Sequence, residues 1–121
     1  MKTKKIDMTK RNIYIVIPGL NEEKHISEII DKLKEQGFKN IVFVDDGSSD
    51  SSSKKAVDAG AIVLKHLINL GKGAAAKTGC DYALKKGAGI IILMDADGQH
   101  RPEDAKKLIA ELLNKKADLE S

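Results

Sequence analysis

Two carboxylates separated by one small residue follow an apolar run near the end of the chain. The run covers residues 90–94, and Asp95, Ala96 and Asp97 come directly after it. A buried strand that ends in this way presents oxygen ligands at the rim of a sheet, where a divalent cation can sit between protein and phosphate. Gln99 can add a further ligand. An Asp-x-Asp pair also caps ordinary turns, so the motif alone leaves both interpretations open.

Two other apolar runs end in polar residues. Residues 41–44 lead into the acidic stretch 45–50, and residues 13–17 lead into Pro18, with Glu22 a few positions later. In open parallel sheets, ligands bind outside the carboxyl ends of the strands, so three polar strand ends predict one shared crevice. The stretch 45–50 is also typical of a turn with a helix cap, and the two interpretations are compatible.

The hydrophobic pattern alternates between short β-branched runs and amphipathic stretches. It predicts strands at 13–18, 41–46, 61–66 and 89–95. It predicts helices after the candidate cap Asn21 and before Gly37, at 51–59, at 72–87, and from Pro102 onward. Strands that alternate with helices form right-handed βαβ units, so we expect an α/β fold whose parallel sheet carries helices on both faces.

Composition points to one globular domain with an aliphatic core. The chain has 121 residues, 41% of them hydrophobic and only 3% aromatic. The net charge of +3 is concentrated in residues 1–12, which hold five basic residues and one acidic residue. We therefore expect a flexible basic leader at 1–11 and a folded domain at 12–121. With few aromatic side chains and no basic face, no nucleic-acid partner is expected, although the leader can touch anionic lipid.

The cysteine, histidine and hydropathy patterns argue against a disulfide-stabilised domain, a histidine metal site and a membrane span. Cys80 is the only cysteine, so no disulfide framework is available, and its helical context favours a core position. His25, His66 and His100 show no pair at metal-ligand spacing. No apolar run reaches the roughly 18 residues of a membrane span. We expect a cytoplasmic location.

Four segments carry a family resemblance in their order and spacing. They are IPGLNEE at 17–23, VDDGSSD at 44–50, NLGKGAA at 69–75 and MDADGQH at 94–100. Together they strongly resemble family 2 glycosyltransferases of the GT-A fold, and most closely the polyprenol-phosphate (dolichol-phosphate) mannosyl- or glucosyltransferases. The resemblance implies a three-layer α/β/α domain with strand order 3-2-1-4, in which strands one and four are central.

The resemblance also implies roles for individual residues. A nucleoside-diphosphate sugar, UDP- or GDP-linked, is expected to contact Pro18, Leu20, Glu22, Val44, Asp46, Lys72, Asp95, Ala96 and Asp97. The cofactor is expected to be Mg²⁺ or Mn²⁺, held directly by Asp97 with Asp95 and Gln99 as further ligands. The implied acceptor is a polyprenyl phosphate, which suggests peripheral attachment at the cytoplasmic membrane face.

In that family the catalytic base and the acceptor site lie downstream of the matched region. We therefore expect this chain to be the donor-binding half of a glycosyltransferase, with an unidentified base and with apolar faces that favour self-association. A non-catalytic or truncated nucleotide-sugar-binding module is the main alternative.

Two further alternatives fit less well. The stretch 71–78 approximates a phosphate-binding P-loop, but Ala76 replaces the second required glycine. In a phosphoacceptor signalling domain the acid pair would close the first strand, whereas here it closes the second.

Overall fold

The computed structural model describes residues 13–96, which form four strands and three helices. In chain order these are β1 Ile13–Gly19, α1 Ile26–Glu35, β2 Asn40–Asp45, α2 Ser52–Asp58, β3 Ile62–Lys65, α3 Lys72–Lys85 and β4 Ile90–Leu93. The start of α1 lies four residues later than predicted, all other bounds fall within two residues of the predicted ones, and the alternation of strand and helix is confirmed. The predicted leader at 1–11, the fourth helix, and the candidate ligands Asp97 and Gln99 lie outside the described residues.

The four strands form one parallel sheet in the order β3-β2-β1-β4. β1 pairs with β2 on one side and with β4 on the other, and β2 also pairs with β3. The predicted order is therefore confirmed. Strand four was also expected to be central, but within residues 13–96 β4 pairs with β1 alone and lies at an edge. The two inner strands of this sheet are β1 and β2.

Alternate residues of the inner strands supply two separate cores, because successive side chains of a strand point to opposite faces. On one face, Ile15 and Ile17 join the apolar side of α1 and Ala56 of α2. On the other face, Val16 and Val44 join Ala75 and Ala83 of α3. The sheet is thus covered on both sides by helices, which gives the three layers that the sequence predicts.

The first helix owes its position to a stripe of large aliphatic side chains. The buried residues of α1 recur at helical spacing, and they are Ile26, Ile29, Ile30 and Leu33. Burying one such side chain contributes roughly 1.5–3 kcal/mol, so the stripe anchors α1 firmly against the sheet. The helix ends before Gly37, whose φ of 98° is the left-handed conformation that terminates helices.

The third helix lies close to the sheet because it has no side chain at Gly79. A Cβ atom at Gly79 would lie 2.3 Å from Cγ1 of Val16 and 2.9 Å from Cγ2 of Val44. Both contacts are shorter than van der Waals distances, and both valines are fully buried. The backbone of α3 can approach β1 and β2 this closely only with glycine at this position.

We expect Gly79→Ala to destabilise the fold. Although alanine favours helix by up to about 1 kcal/mol, overpacking against two rigid β-branched side chains costs about 1–3 kcal/mol. Gly73 is the matched control in the same helix, since a Cβ there meets nothing within 4 Å. Urea unfolding should show a lower free energy of unfolding for Gly79→Ala and no loss for Gly73→Ala. Equal stability of the two variants would contradict this packing.

Candidate functional site

A cleft of about 280 Å³ opens at the edge where β1, β2 and β4 end. Its walls come from the end of β1, the residue after β2, the loop that leads into α3, and the residues after β4. The lining residues are Pro18, Gly19, Leu20, Glu22, Asp46, Asn69, Gly71, Lys72, Ala75, Asp95 and Ala96. The volume is near the lower end of the range for small-molecule sites. The crevice predicted from the polar strand ends therefore exists.

The cleft brings together seven of the nine predicted nucleotide-sugar contacts, which are Pro18, Leu20, Glu22, Asp46, Lys72, Asp95 and Ala96. It does not include Val44, whose side chain is buried in the core beneath α3. The difference is one of position along the chain, because Val44 lies fully buried within β2 while Asp46 comes after the last residue of that strand. The ninth residue, Asp97, lies beyond the part of the chain that the structure describes.

The carboxylate of Asp46 is held by its own chain. Its Oδ1 accepts the backbone N–H of Leu70 at 2.9 Å and lies 2.8 Å from Nδ1 of His66, while its Oδ2 accepts the N–H of Gly71 at 2.8 Å. Burial alone would raise the pKa of Asp46, but these hydrogen bonds outweigh burial and lower the pKa below its ordinary value. Asp46 is therefore an ionised anchor for the loop before α3.

The loops after β1 and β2 are joined by reciprocal hydrogen bonds. The N–H of Asn21 donates to Oγ of Ser48 at 2.8 Å, and Oδ1 of Asn21 accepts the N–H of Ser49 at 2.9 Å. One residue further along, the N–H of Glu22 donates to Oγ of Ser52 at 2.8 Å. The expectation that Asn21 caps α1 is thus wrong. Its side chain bonds to the neighbouring loop, and α1 begins only at Ile26.

Asp50 completes the junction between these two loops. Its Oδ1 accepts the N–H of Ser52 at 2.9 Å, and its Oδ2 accepts the N–H of Glu23 at 3.3 Å. Burial raises the pKa of Asp50, while the Ser52 hydroxyl and these backbone donors lower it by more, so the net shift is downward. Asp50 thus bonds the first N–H of α2, as a turn before a helix requires, although the residue at the cap position itself is Ser51, which makes no side-chain cap bond.

Charges in the cleft are mainly negative. Lys72 at the start of α3 forms an ion pair with Asp95 after β4. Glu22 and Asp46 add two more carboxyl groups to the lining. Three carboxyl groups thus face one ammonium group, an arrangement that opposes the entry of a free anion.

The carboxylate oxygens suit a hard divalent cation, but the described residues alone do not form a complete metal site. Within residues 13–96, no group of three or more His, Cys, Asp or Glu side chains could hold a metal ion. Of the three predicted metal ligands, Asp95 is the one within residues 13–96, and its side chain is 22% exposed. Its partners in the predicted ligand set, Asp97 and Gln99, fall outside this range, so the three-ligand set stays a prediction.

Two residues that contribute to the site were not assigned a role from the sequence. Nε2 of His66 lies 2.8 Å from Oγ1 of Thr78 on α3, so the imidazole links Asp46 to that helix. Asn69 lines the cleft, and its Oδ1 accepts the N–H of Gly71 at 3.0 Å. The available signal was the position of His66 at the end of the predicted strand 61–66, at the same sheet edge as the acids.

Comparison with known proteins assigns the family. The family model described as "Glycosyl transferase family 2" matches residues 14–120. The chain belongs to glycosyl transferase family 2. An uncharacterised protein of Methanocaldococcus jannaschii is 47% identical over 88% of this chain. A UDP-N-acetylglucosamine–dolichyl-phosphate N-acetylglucosaminyltransferase of Methanococcus voltae is 36% identical, also over 88% of the chain. The chain spans 44% and 49% of the length of these two relatives.

Solved structures agree with this assignment. Glucosyl-3-phosphoglycerate synthase of Mycobacterium tuberculosis, crystallised with Mn²⁺ and UDP-glucose, superposes with a TM-score of 0.71 at 27% identity. The match covers 86% of this chain and 40% of that enzyme. The predicted GT-A architecture and family resemblance are therefore confirmed. None of the helices within residues 13–96 has the length and apolarity needed to cross a bilayer.

We expect Asp46→Asn to destabilise the protein in a pH-dependent way. Hydrogen bonds to a charged group contribute roughly 1.5–3 kcal/mol, and the amide group of asparagine would face the Gly71 N–H with a donor. Because the folded state lowers the pKa of Asp46, this stabilisation is present above the unfolded-state pKa and is lost as the pH falls through the folded-state pKa.

Urea unfolding at pH 7, 5 and 3 measures this effect. The difference in free energy of unfolding between wild type and Asp46→Asn should be largest at pH 7 and should shrink below about pH 4. Asp81→Asn is the control, because Asp81 lies on α3 in an exposed pair with Lys77. A difference for Asp46→Asn that stays constant down to pH 3 would contradict the ionised anchor.

Proposed function

We propose that this chain binds a UDP- or GDP-linked sugar, together with Mg²⁺ or Mn²⁺, in the cleft at the strand ends. We further propose that the protein transfers the sugar to a polyprenyl phosphate. The observation that carries the proposal is the meeting of Glu22, Asp46, Lys72 and Asp95, from four separate segments, in one cleft of ligand size. The relatives named for dolichyl or polyprenol phosphates supply the acceptor class.

The start of α3 suits the diphosphate. The first backbone N–H groups of a helix have no partner within the helix, and they attract anions. At Gly71 and Gly73 a Cβ would meet nothing within 4 Å, so the backbone there is open to a ligand. The Lys72 side chain, 65% exposed, adds a positive charge that can turn from Asp95 toward a phosphate oxygen.

The negative lining makes binding depend on a divalent cation. A nucleoside diphosphate adds further negative charge to a cleft that already holds the carboxyl groups of Glu22, Asp46 and Asp95. When bound, Mg²⁺ or Mn²⁺ would offset the charge that grows on the departing diphosphate during transfer. Asp95 would hold the cation together with Asp97 and Gln99. Lys72 and the amides of α3 would orient the phosphates.

Asp46 and the residues of the first loop would form the nucleoside end of the site. The Asp46 carboxylate already accepts three hydrogen bonds from its own chain. Two oxygens offer about four acceptor positions, so one remains for a donor on the base. Pro18 and Leu20 supply apolar surface beside it, and Leu20 is 37% exposed.

Two further parts of the proposal concern location and partners. Polyprenyl phosphates are membrane lipids, so we propose a peripheral location at the cytoplasmic face of a membrane. Self-association also stays a prediction. It is supported by three exposed side chains in the loop before α3, namely Leu67, Ile68 and Leu70, which are 97%, 67% and 56% exposed.

Calorimetric titration with UDP and with GDP, in Mn²⁺, Mg²⁺ or EDTA, tests the binding proposal. We expect at least about tenfold tighter binding with metal for one of the two nucleotides, an effect of roughly 1.4 kcal/mol. Asp95→Asn and Asp97→Asn should each remove most of this metal dependence, because each replaces a charged ligand with a neutral group of similar shape. Asp46→Ala should weaken binding even in EDTA.

The matched control is again Asp81→Asn, an acid-to-amide change on the exposed side of α3 that should leave both affinities unchanged. Binding that does not depend on metal and is unaffected by Asp95→Asn or Asp97→Asn would refute the site. An assay for sugar transfer to a polyprenyl phosphate distinguishes a transferase from a non-catalytic nucleotide-sugar-binding module. Binding with transfer supports the transferase, and binding without transfer supports the nucleotide-sugar-binding module.

A further inference from the structure

His66 joins three elements next to the cleft. It directly follows β3, and its backbone N–H donates to the carbonyl oxygen of Asp45 at the end of β2 at 2.8 Å. Its side chain is 11% exposed, and both ring nitrogens have partners. Nδ1 lies 2.8 Å from Oδ1 of Asp46, and Nε2 lies 2.8 Å from Oγ1 of Thr78 on α3. The imidazole therefore spans the distance between the sheet edge and the helix.

The proton positions follow from these partners. The Asp46 carboxylate only accepts hydrogen bonds in its ionised form, so Nδ1 of His66 carries a proton and donates to it. In the neutral imidazole, Nε2 then accepts from the Thr78 hydroxyl. In the imidazolium, Nε2 donates and the hydroxyl oxygen accepts. The hydroxyl of Thr78 therefore satisfies His66 in both states, which a methyl group could not do.

The Asp46 carboxylate transmits this constraint to the cleft. Its Oδ1 is shared between the His66 ring and the N–H of Leu70, and its Oδ2 accepts the N–H of Gly71. Rotation of the carboxylate would disturb all three bonds at once. The ring fixes the orientation of the carboxylate, and the carboxylate fixes the backbone at residues 70 and 71. Lys72, the first residue of α3, follows immediately.

The turn after β2 supports the same loop from its other side. A Cβ at Gly47 would lie 2.9 Å from the backbone nitrogen of Asn69 and 2.9 Å from the carbonyl carbon of Ile68. The loop backbone is therefore packed closely against residue 47, while its apolar side chains face outward. If the Asp46 carboxylate were displaced, the loop before α3 would have no room to follow it toward β2.

We propose that His66 is a positioning residue for the nucleotide cleft. Acting through Asp46 and Thr78, it holds the backbone of Leu70, Gly71 and Lys72 as the wall that receives the diphosphate. The identity of the ligand in this proposal rests on the proposed function. The hydrogen-bonded bridge formed by Thr78, His66 and Asp46 can itself be measured without any ligand.

Amide hydrogen exchange of Leu70 and Gly71, measured by NMR on the 121-residue chain without nucleotide, tests the bridge. Thr78→Val removes the hydroxyl and keeps the shape, whereas Thr78→Ser keeps the hydroxyl. Loss of one hydrogen bond in the bridge should accelerate exchange at both amides by roughly fivefold to tenfold in Thr78→Val. Thr78→Ser should restore slow exchange.

Two substitutions at His66 separate the ends of the bridge. The side-chain amide nitrogen of His66→Asn can occupy the position of Nδ1 and keep the bond to Asp46, but it cannot reach Thr78. This variant should therefore resemble Thr78→Val. His66→Ala removes both bonds and should accelerate exchange further. Lys77→Ala, which breaks an exposed pair on the same helix, should leave both amides unchanged.

Affinity for UDP or GDP with Mg²⁺ completes the test. Thr78→Val and His66→Asn should weaken binding severalfold, and Thr78→Ser should not. Unchanged exchange at residues 70 and 71 in Thr78→Val would overturn the proposal, and so would a Thr78→Ser variant that behaves like Thr78→Val. If the wild type binds neither nucleotide, the proposed function fails, while the exchange rates still decide whether His66 positions the loop.

Discussion

The parallel pairing of β1 with both of its neighbours is the constraint on which the cleft depends. Ile15, Val16 and Ile17 are completely buried and contribute to both faces of the sheet. Because all pairings are parallel, the chain leaves β1, β2 and β4 at the same edge. The register brings Gly19 opposite Asp45, so the loops that follow these two strands begin side by side. The junction of the two loops follows from this register.

Acidic residues at a buried edge would repel one another without nearby donors, and the loops supply those donors. Asp45 accepts the N–H of Ser48 at 2.8 Å and bonds the Ser53 hydroxyl. Asp46 is bonded by the loop before α3, and Asp50 by residues 23 and 52. Asp46 and Asp50 therefore each tie their own loop to a second loop beside the cleft. Asp46 also reaches the cleft, which makes it both a structural anchor and a ligand group.

Much of the fold was predictable because its signals are local. The apolar runs give the strands, and the spacing of Ile26, Ile29, Ile30 and Leu33 gives the inner face of α1. The strand order came from the family resemblance, since periodicity cannot specify which strands are neighbours. The crevice was predictable because polar residues follow the strands, and parallel topology brings the strand ends to one edge, whereas the assignment of Leu20, Lys72 and Ala96 to it came from the family resemblance.

The remaining features depend on contacts that sequence spacing does not encode. His66 and Thr78 are twelve positions apart, and only the packing of α3 against the sheet brings them together. Asn21 resembled a helix cap, but its φ of 54° and its bonds to the next loop place the start of α1 at Ile26. Val44 precedes Asp46 by only two residues, but β2 ends between them at Asp45. Val44 therefore lies in the core, and Asp46 lines the cleft.

NMR mapping of nucleotide binding tests most directly whether the cleft at the strand ends is the nucleotide site. UDP and GDP, each with Mg²⁺, would be titrated into labelled protein, followed by trace Mn²⁺ to broaden the nearest signals. We expect shifts at the amides of Leu20, Gly71 and Lys72, and the earliest broadening at Asp95 and Ala96. Signals at the opposite edge of the sheet, at Gly37, Gly60 and Gly87, should stay fixed. Shifts confined to that opposite edge, or to the groove between α1 and α2, would contradict nucleotide binding in the cleft.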